Sequence, residues 1–279
     1  MLKQRIITAV ILAILLLGAL FFAPAQQFDM VIALVVAIAA WEWANMSGFK
    51  QQGQRVLYAL VTMAVVAGVA WFSGYGSDAG MSLEKLKTTF GVACAWWAVA
   101  LLWVQSYPSS GLLWGRRWST AIMGLLVLVP TWMAFVFLRS EPQGAWLILL
   151  LVIIVAAADI GAYFVGKAIG KRKLAVEVSP GKSWEGFWGG FATCMLLALG
   201  LNYWFDAGGV LLAIVAPVAL SSVLGDLLAS MVKRQRGIKD SSNLLPGHGG
   251  FMDRVDSLTA AAPVFALAIV LSGWQLPAF

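Results

Sequence analysis

Long apolar segments, separated by short polar connections, run through this chain of 279 residues from end to end. Most are close to the roughly 20 residues that a helix needs to cross the hydrocarbon core of a bilayer. Charged residues make up only 11% of the sequence, whereas about 25% is usual in a soluble domain. The strict alternation of apolar and polar residues that marks a transmembrane β-strand does not occur. The sequence therefore predicts an all-α integral membrane protein.

The apolar segments predict a polytopic bundle of about nine transmembrane helices, which forms a single domain over residues 1–279. The connections between the segments are too short to hold a soluble domain. Residues 1–140 contain the first five spans, and residues 141–279 contain the last four. The predicted spans are 6–23, 28–47, 56–73, 90–106, 119–138, 145–166, 186–204, 209–230 and 258–276.

The positions of the basic residues orient this bundle. With the N-terminus in the cytoplasm, all of the 19 Lys and Arg residues except Lys85, Lys87 and Arg139 fall on the cytoplasmic side. This asymmetry satisfies the positive-inside rule. The net charge of +6 is therefore a topology signal, and its spread over short loops argues against nucleic-acid binding.

The N-terminus resembles a secretory signal peptide, because Lys3 and Arg5 precede an apolar run and residues 23–25 (Ala-Pro-Ala) resemble a cleavage site. The run over residues 6–22 is longer than the usual apolar region of about 7–15 residues, and many spans follow it. We therefore predict an uncleaved first helix. Together with the short chain and the lack of a targeting extension, this favours a multi-pass protein of the bacterial cytoplasmic (inner) membrane.

Two predicted cytoplasmic segments, Asp159 to Glu185 and Asp226 to Asp256, concentrate polar residues, and each begins with an acid inside an apolar helix. An Asp at the centre of a membrane helix costs about 2.5–3.5 kcal/mol, so both acids need polar partners. Residues three or four apart share a helix face, which predicts two polar stripes that face the bundle interior or a wet cavity. An internal ion pair with a lysine is the alternative explanation for each acid. The stripes are Asp159, Tyr163, Gly166 and Lys167, and Ser222, Asp226, Ser230 and Lys233.

The second segment combines Asp226, Asp240, Asp253 and Asp256 with five basic residues. Carboxylates beside Lys and Arg suit Mg²⁺ and a phosphate-rich substrate, because Mg²⁺ takes oxygen ligands and the cations neutralise the remaining phosphate charge. The glycine-rich turn 246–250 allows a close backbone approach to a ligand and directs N–H groups at an anion. Its histidine, the only one in the chain, is either an acid, base or donor of the site or a structural hydrogen-bonding residue.

Three other patterns carry weaker signals. Residues 161–168 nearly match a phosphate-binding P-loop, but the last residue is alanine and the context is a membrane helix, so we reject the match. Residues 179–186 are predicted to begin the seventh span, with Lys182 near phosphate at the helix start. Glu42, inside the second span, is either a buried structural acid or an outer member of the site. Its neighbouring tryptophans favour the structural role.

The segment Ser230 to Asp256 resembles the phosphatidate cytidylyltransferase (CDP-diacylglycerol synthase) family. The family pattern is S-x-x-K-R, four residues, K-D, then a hydrophobic residue followed by P-x-H-G-G, two residues and D-R-x-D. A pattern that fixes so many positions in one short segment is highly specific. The matching residues are Ser230, Lys233, Arg234, Lys239, Asp240, Leu245, Pro246, His248, Gly249, Gly250, Asp253, Arg254 and Asp256.

The resemblance extends upstream. Residues 159–163 and 179–186 resemble the family's other cytoplasmic segment, although Gly181 stands where relatives commonly carry a second basic residue. The N-terminal half of the chain matches mainly in hydropathy. The resemblance therefore implies a catalytic half at residues 141–279, with cytoplasmic loops at 167–185 and 231–257.

The resemblance implies that CTP and phosphatidic acid react to give CDP-diacylglycerol and pyrophosphate, with one or two Mg²⁺ ions, in a homodimer that faces membrane lipid. The metal-binding acids match Asp226 and Asp253, with Asp256 and Asp240 as secondary candidates. The predicted catalytic residues are Asp226, Lys233, Arg234, Lys239, Asp240, His248, Asp253, Arg254 and Asp256. The predicted substrate-binding residues are Asp159, Tyr163, Lys167, Ser179, Lys182, Ser183, Glu185, Gly249 and Gly250.

Two alternative functions are weaker. A CTP-dependent kinase of a polyprenol or similar lipid alcohol would share the metal and nucleotide chemistry but would need a base for the hydroxyl group. The full pattern at Ser230 to Asp256 argues against it. A transporter of an anionic solute would suit the many spans and the intramembrane acids. The sequence shows no internal repeat, however, and its polar residues collect at one face of the membrane.

Overall fold

A computed structural model describes residues 2–277, without the side chains of residues 2–6 and 9. The side chains of Lys3 and Arg5, which the charge pattern assigns to the cytoplasm, therefore lie outside the described residues. Long helices dominate the described chain, with one short helix and one β-hairpin between them. The helices are α1 (Leu2–Phe22), α2 (Ala25–Met46), α3 (Gln52–Ser73), α4 (Leu83–Gln105), α5 (Gly111–Trp114), α6 (Arg117–Ser140), α7 (Gly144–Ile169), α8 (Trp184–Trp204), α9 (Val210–Arg236) and α10 (Met252–Ser272).

Each predicted span coincides with a long helix, which confirms the all-α polytopic fold. Within residues 2–277, seven helices are long and apolar enough to cross a membrane, namely α2, α3, α4, α6, α7, α9 and α10. Helix α8 is not among them, because glycines and polar residues such as Glu185 and Asn202 interrupt its apolar sequence. In α1, Val10–Phe22 forms a shorter apolar segment. Length and composition thus support seven of the nine predicted spans.

Several helices extend beyond the predicted spans. Helix α9 continues past residue 230 to Arg236, and α10 begins at Met252 instead of 258. The connection between them covers residues 237–251, so the predicted loop 231–257 was too long. Hydropathy marks only the part of a helix that lies in the hydrocarbon region, whereas backbone hydrogen bonding continues into the polar region. Gly237, with a φ of 74°, ends α9 in the left-handed conformation that glycine adopts readily.

Only the last three residues of the segment 179–186 belong to a helix, so the predicted helix start was too early. Ser179–Ser183 form strand β2, which pairs antiparallel with β1 (Lys173–Ala175). Helix α8 begins only at Trp184, directly after the hairpin. The predicted loop 167–185 therefore contains an ordered hairpin whose second strand leads straight into a membrane helix.

Helix α9 packs closely against α10. A Cβ atom at Gly225 of α9 would lie 2.3 Å from the backbone oxygen of Asp256 on α10. Small residues at such crossings let membrane helices approach each other closely. Because Asp226 follows Gly225 directly, the crossing brings two predicted site acids into the same layer of the bundle.

Helix α6 lies deep in the bundle and contacts α2, α3, α4, α7 and α10. It is the most buried of the candidate spans among the described residues. The hydroxyl group of Thr131 on α6 donates a hydrogen bond to the backbone oxygen of Thr259 on α10, at 3.1 Å. The N-terminal and C-terminal halves therefore share one core.

Gly225→Ala is expected to lower the thermal unfolding temperature of the protein in detergent micelles. The added methyl group would overlap the Asp256 backbone oxygen, and forced overpacking costs about 1–3 kcal/mol. Gly200→Ala is the matched control, because a Cβ atom at this glycine of α8 meets no atom within 4 Å. Equal unfolding temperatures for the two variants would contradict the close crossing of α9 and α10.

Candidate functional site

Two lysine–aspartate ion pairs join β2, α9 and α10. Lys182 Nζ on β2 lies 2.5 Å from Asp226 Oδ2 on α9. Lys233 Nζ, two turns further along α9, lies 2.6 Å from Asp253 Oδ1 on α10. The side chains of the first pair are 27% and 28% exposed, and those of the second pair 9% and 5%. The first pair is therefore accessible to a ligand, whereas the second is buried.

Further groups hold Asp253 on its other side. Its Oδ2 atom accepts hydrogen bonds from the backbone N–H groups of Ser241 and Gly250, each at 2.9 Å. The hydroxyl group of Ser241 lies 3.1 Å from the same oxygen. A buried ion pair is tolerated only when such hydrogen bonds satisfy its remaining lone pairs. The connection between α9 and α10 supplies them.

Glu42 reaches the same connection from α2 and is completely buried. Its Oε1 atom accepts hydrogen bonds from the Ser242 hydroxyl at 2.5 Å and the Phe251 N–H at 3.0 Å. Its Oε2 atom accepts from the Ser241 hydroxyl at 3.1 Å and the Met252 N–H at 2.6 Å. The N–H groups at a helix start have no partner within the helix. Glu42 therefore caps α10 from another helix.

The turn before α10 has the arrangement of a type II turn. Pro246 and Gly247 occupy its central positions, and the His248 N–H donates a hydrogen bond to the Leu245 backbone oxygen at 2.9 Å. Gly247 has the positive φ, 75°, that the second central position requires. The Nδ1 atom of His248 is buried and has no hydrogen-bond partner within the described residues. The alternative role of His248, a structural hydrogen bond, is therefore not supported at this atom.

The next two glycines lie against carboxylates of the chain itself. A Cβ atom at Gly249 would lie 2.7 Å from Asp253 Oδ2, and one at Gly250 would lie 2.5 Å from Glu42 Oε1. The glycines thus allow the backbone to approach other groups closely, as predicted. In the structure, these groups are carboxylates of the protein itself. A role for Gly249 and Gly250 in binding substrate stays a prediction.

A cleft of about 340 Å³ opens beside the exposed ion pair. Asp159, Tyr163 and Lys167 of the polar stripe on α7 line one side, and Lys182 and Ser183 of β2 line the other. Asp159 interacts electrostatically with both members of the exposed ion pair. The α7 stripe thus faces a cavity, as its spacing predicted.

Asp256 is buried next to these groups. Its Oδ1 atom accepts a hydrogen bond from the Ser257 N–H at 2.8 Å, and its charge interacts with Asp226 and Lys233. Three of the four candidate metal-binding acids, Asp226, Asp253 and Asp256, therefore occupy one region. Among the described residues, no three Asp, Glu, His or Cys side chains converge closely enough to hold a metal ion by themselves. Since Mg²⁺ commonly takes one or two carboxylates and completes its shell with phosphate and water, the donors fit a metal that binds together with a phosphorylated ligand.

Other predicted site residues stabilise the hairpin. The Arg234 Nε–H donates to the Val178 backbone oxygen at 3.3 Å, which ties α9 to the hairpin. Glu185 accepts hydrogen bonds from the backbone N–H groups of Lys171 and Arg172. Ser183 caps α8 by accepting from the Gly186 N–H, and Ser179 pairs with Ala175 in the hairpin. The exposed members of the predicted set include Lys239, Asp240 and Arg254.

An apolar groove of about 740 Å³ adjoins the polar cleft. Leu174, Phe187 and Val223 line both cavities, so one continues into the other. The far wall of the groove comes from α4, including Trp97 and Leu101. A polar cleft with two cations beside carboxylates, open to an apolar groove, suits an amphiphilic molecule with a phosphate group.

Sequence reasoning missed the part of the site that involves Asn45, Ser241 and Ser242. Asn45 Nδ2 donates to the Ser241 backbone oxygen at 2.9 Å, and Ser242 binds Glu42. The sequence did contain a pattern that indicates these contacts. Glu42 and Asn45 are one helical turn apart and form a short polar stripe on an apolar helix. The two serines directly follow Asp240, which the sequence did identify.

Comparison with known proteins identifies the family. Residues 3–272 match the model of the cytidylyltransferase family. A phosphatidate cytidylyltransferase of Pseudomonas aeruginosa is 48% identical over 281 residues, which cover 99% of this chain and 100% of that protein. One of Haemophilus influenzae is 40% identical over 287 residues, with 95% and 98% covered. One of Mycobacterium leprae is 44% identical over 154 residues, with 53% and 48% covered.

Lys233→Met is expected to lower the unfolding temperature more than Lys182→Met. Removing one partner of a buried ion pair costs about 3–5 kcal/mol, whereas an exposed pair contributes about 0–1 kcal/mol. The double variant Lys233→Met/Asp253→Leu should recover part of the loss, because no unpaired charge then remains buried. Thermal unfolding in detergent measures all three variants. A loss in Lys182→Met as large as that in Lys233→Met would contradict the burial of the second pair.

Proposed function

This chain belongs to the cytidylyltransferase family, and we propose that it transfers the cytidylyl group of CTP to phosphatidic acid, giving CDP-diacylglycerol and pyrophosphate for phospholipid biosynthesis. Near-full-length similarity to two proteins named phosphatidate cytidylyltransferase supports this activity. The chain is a multi-pass membrane protein. Its bacterial relatives support a location in the inner membrane.

One observation assigns the proposed activity to particular residues. Lys182, the ion-pair partner of Asp226, lines a polar cleft that continues into an apolar groove. A lipid phosphate fits the cleft while its acyl chains occupy the groove. CTP then enters the cleft from the aqueous side. This arrangement brings a soluble and a membrane-bound reactant to one point.

The reaction joins two anions, so neutralising their charge is the main task of the site. A phosphate oxygen of phosphatidic acid attacks the α-phosphorus of CTP, and the bond to the β-phosphate breaks to release pyrophosphate. The attacking phosphate is already ionised at neutral pH, so the step needs no strong base. Lys182 and Lys233 lie nearest the acids and are proposed to bind phosphate oxygens. The predicted phosphate-binding set also includes Arg234, Lys239 and Arg254.

We propose Mg²⁺ as the cofactor, held by Asp226 and Asp253 with Asp256 as a further acid. When bound, the metal would supply Lewis-acid stabilisation of charge on the phosphates and on the leaving pyrophosphate. Asp226 is the most accessible of the three, because its side chain is 28% exposed and pairs with Lys182, which lines the cleft. Asp253 becomes available to a ligand only if Lys233 shifts towards an incoming phosphate.

The active site is proposed to face the cytoplasm. The support is the charge distribution, since the segments on the N-terminal side of the membrane carry nearly all of the basic residues. CTP is a cytoplasmic nucleotide, so this orientation also matches the substrate. A homodimer is proposed from the family resemblance alone.

Purified protein with Mg²⁺, phosphatidic acid and CTP labelled at the α-phosphorus is expected to produce labelled lipid and unlabelled pyrophosphate. CTP labelled at the γ-phosphorus should leave the lipid unlabelled, because the terminal phosphates depart. The opposite result, with γ-label in the lipid, is what a lipid-alcohol kinase would give. It would overturn the proposed reaction, as would the absence of any transfer.

Asp226→Asn and Asp253→Asn are each expected to lower kcat by at least about a hundredfold, because each removes a carboxylate that is proposed to hold the metal ion. Asp78→Asn, in the exposed connection between α3 and α4, is the matched control and should keep normal turnover. Thermal unfolding checks that all three variants are folded. Normal turnover in either site variant would defeat the assignment of that acid.

Ala98→Trp is expected to lower kcat/KM for a long-chain phosphatidic acid by about tenfold relative to a dihexanoyl substrate, because a bulky side chain would fill the apolar groove. Ala98 lines the groove on α4. Val99→Trp is the matched control, since Val99 is exposed on the same helix and does not line the groove. Equal selectivity in the two variants would show that the acyl chains lie elsewhere.

A further inference from the structure

The most buried acid near the site does not belong to the spans that carry the family pattern. Glu42 lies on α2 and is completely buried, yet both of its oxygens bind the connection between α9 and α10. We propose that Glu42 is a positioning residue of the reaction. It fixes the carboxylate of Asp253 through Ser241 and through the start of α10. This inference rests on the proposed cytidylyl transfer for its kinetic part.

Ser241 connects the two carboxylates directly. Its hydroxyl oxygen lies 3.1 Å from Glu42 Oε2 and 3.1 Å from Asp253 Oδ2. A serine hydroxyl carries one proton, so it can donate to only one of these oxygens at a time. The Ser241 N–H donates to Asp253 in addition, at 2.9 Å. Any shift of Glu42 therefore alters the hydrogen bonding of Asp253.

The start of α10 provides a second connection. Glu42 accepts hydrogen bonds from the N–H groups of Phe251 and Met252, and Asp253 is the next residue. A carboxylate at a helix N-terminus satisfies free N–H groups and interacts favourably with the helix dipole. The position of the first turn of α10, and with it the Asp253 side chain, thus depends on a residue of α2.

The surroundings leave the connection little freedom. A Cβ atom at Gly250 would lie 2.0 Å from the Ser241 hydroxyl oxygen and 2.5 Å from Glu42 Oε1. Asn45, one turn after Glu42, donates to the Ser241 backbone oxygen at 2.9 Å. The Arg55 guanidinium donates to Asn45 Oδ1 at 2.7 Å. The polar face of α2 therefore holds the backbone and the side chain of Ser241 at once.

Glu42→Gln tests the proposal, because an amide group presents one acceptor and two donors to four donor groups. The variant is expected to lower kcat for cytidylyl transfer by about tenfold to a hundredfold, since small displacements of a site group have effects of this size. The KM for CTP should change by less than about threefold, because Glu42 touches no substrate. Backbone amides 250–252 should exchange hydrogen faster in Glu42→Gln, as measured by mass spectrometry without substrates.

Asp29→Asn is the matched control. Asp29 is also a buried acid of α2, only 7% exposed, and its carboxylate accepts a hydrogen bond from the Tyr75 hydroxyl at 2.8 Å, away from the connection. This variant should keep wild-type kcat per folded protein and wild-type exchange at residues 250–252. A general loss of stability would affect both variants, whereas positioning affects only Glu42→Gln.

Ser242→Ala decides the question if Glu42→Gln does not fold. Ser242 donates one hydrogen bond to Glu42 and makes no hydrogen bond to Asp253. Its removal should lower kcat by less than Glu42→Gln does and should speed hydrogen exchange at residues 250–252. A wild-type kcat in Glu42→Gln, or in Ser242→Ala if Glu42→Gln does not fold, overturns the proposal whether or not hydrogen exchange is faster. A fall in kcat in Asp29→Asn as large as that in the tested variant also overturns it. If wild-type protein transfers no cytidylyl group, the proposed function fails. The exchange measurement then still decides whether Glu42 holds the connection.

Discussion

Charged side chains inside an apolar helix bundle need partners, and this constraint organises the half of the molecule that contains the candidate site. An unpaired ion in a low-dielectric interior is too costly to persist. Asp226 is paired with Lys182, and Asp253 with Lys233, so each acid ties one element of the structure to another. The ion pairs therefore link the hairpin to α9 and α9 to α10. The carboxylates and lysines of these pairs also lie close to an apolar groove. A reaction between a lipid phosphate and a nucleotide requires this combination of charged groups and an apolar surface.

The same constraint joins the two halves of the chain. Glu42 is buried on α2, and its four hydrogen bonds all come from the connection after α9 and the start of α10. The family pattern lies wholly in the C-terminal half, yet the backbone that carries it is fixed from the N-terminal half. The N-terminal spans are thus part of the scaffold of the site.

The sequence predicted the all-α membrane fold and the polar faces of α7 and α9 well, because hydropathy and helical spacing depend on each helix alone. It placed helix ends poorly, since Asp253 and Lys233 lie on helices that continue beyond the hydrophobic run. The hairpin was missed because Ser179–Ser183 form a strand only by pairing with Lys173–Ala175. The function of Glu42 was equally hidden, because its partners are about 200 residues away in sequence and only the packing of α2 against the connection brings them together.

The acids of α9 and α10 and the lysine of the hairpin are proposed to form one site for two phosphorylated reactants. A high-resolution structure of the protein with Mg²⁺ and a non-hydrolysable analogue of CTP tests it most directly. In the expected structure, the α-phosphate lies in the cleft in contact with Lys182, and the metal is bound by Asp226 and the phosphates. A nucleotide bound away from this cleft, or a metal held by residues other than these acids, would contradict it.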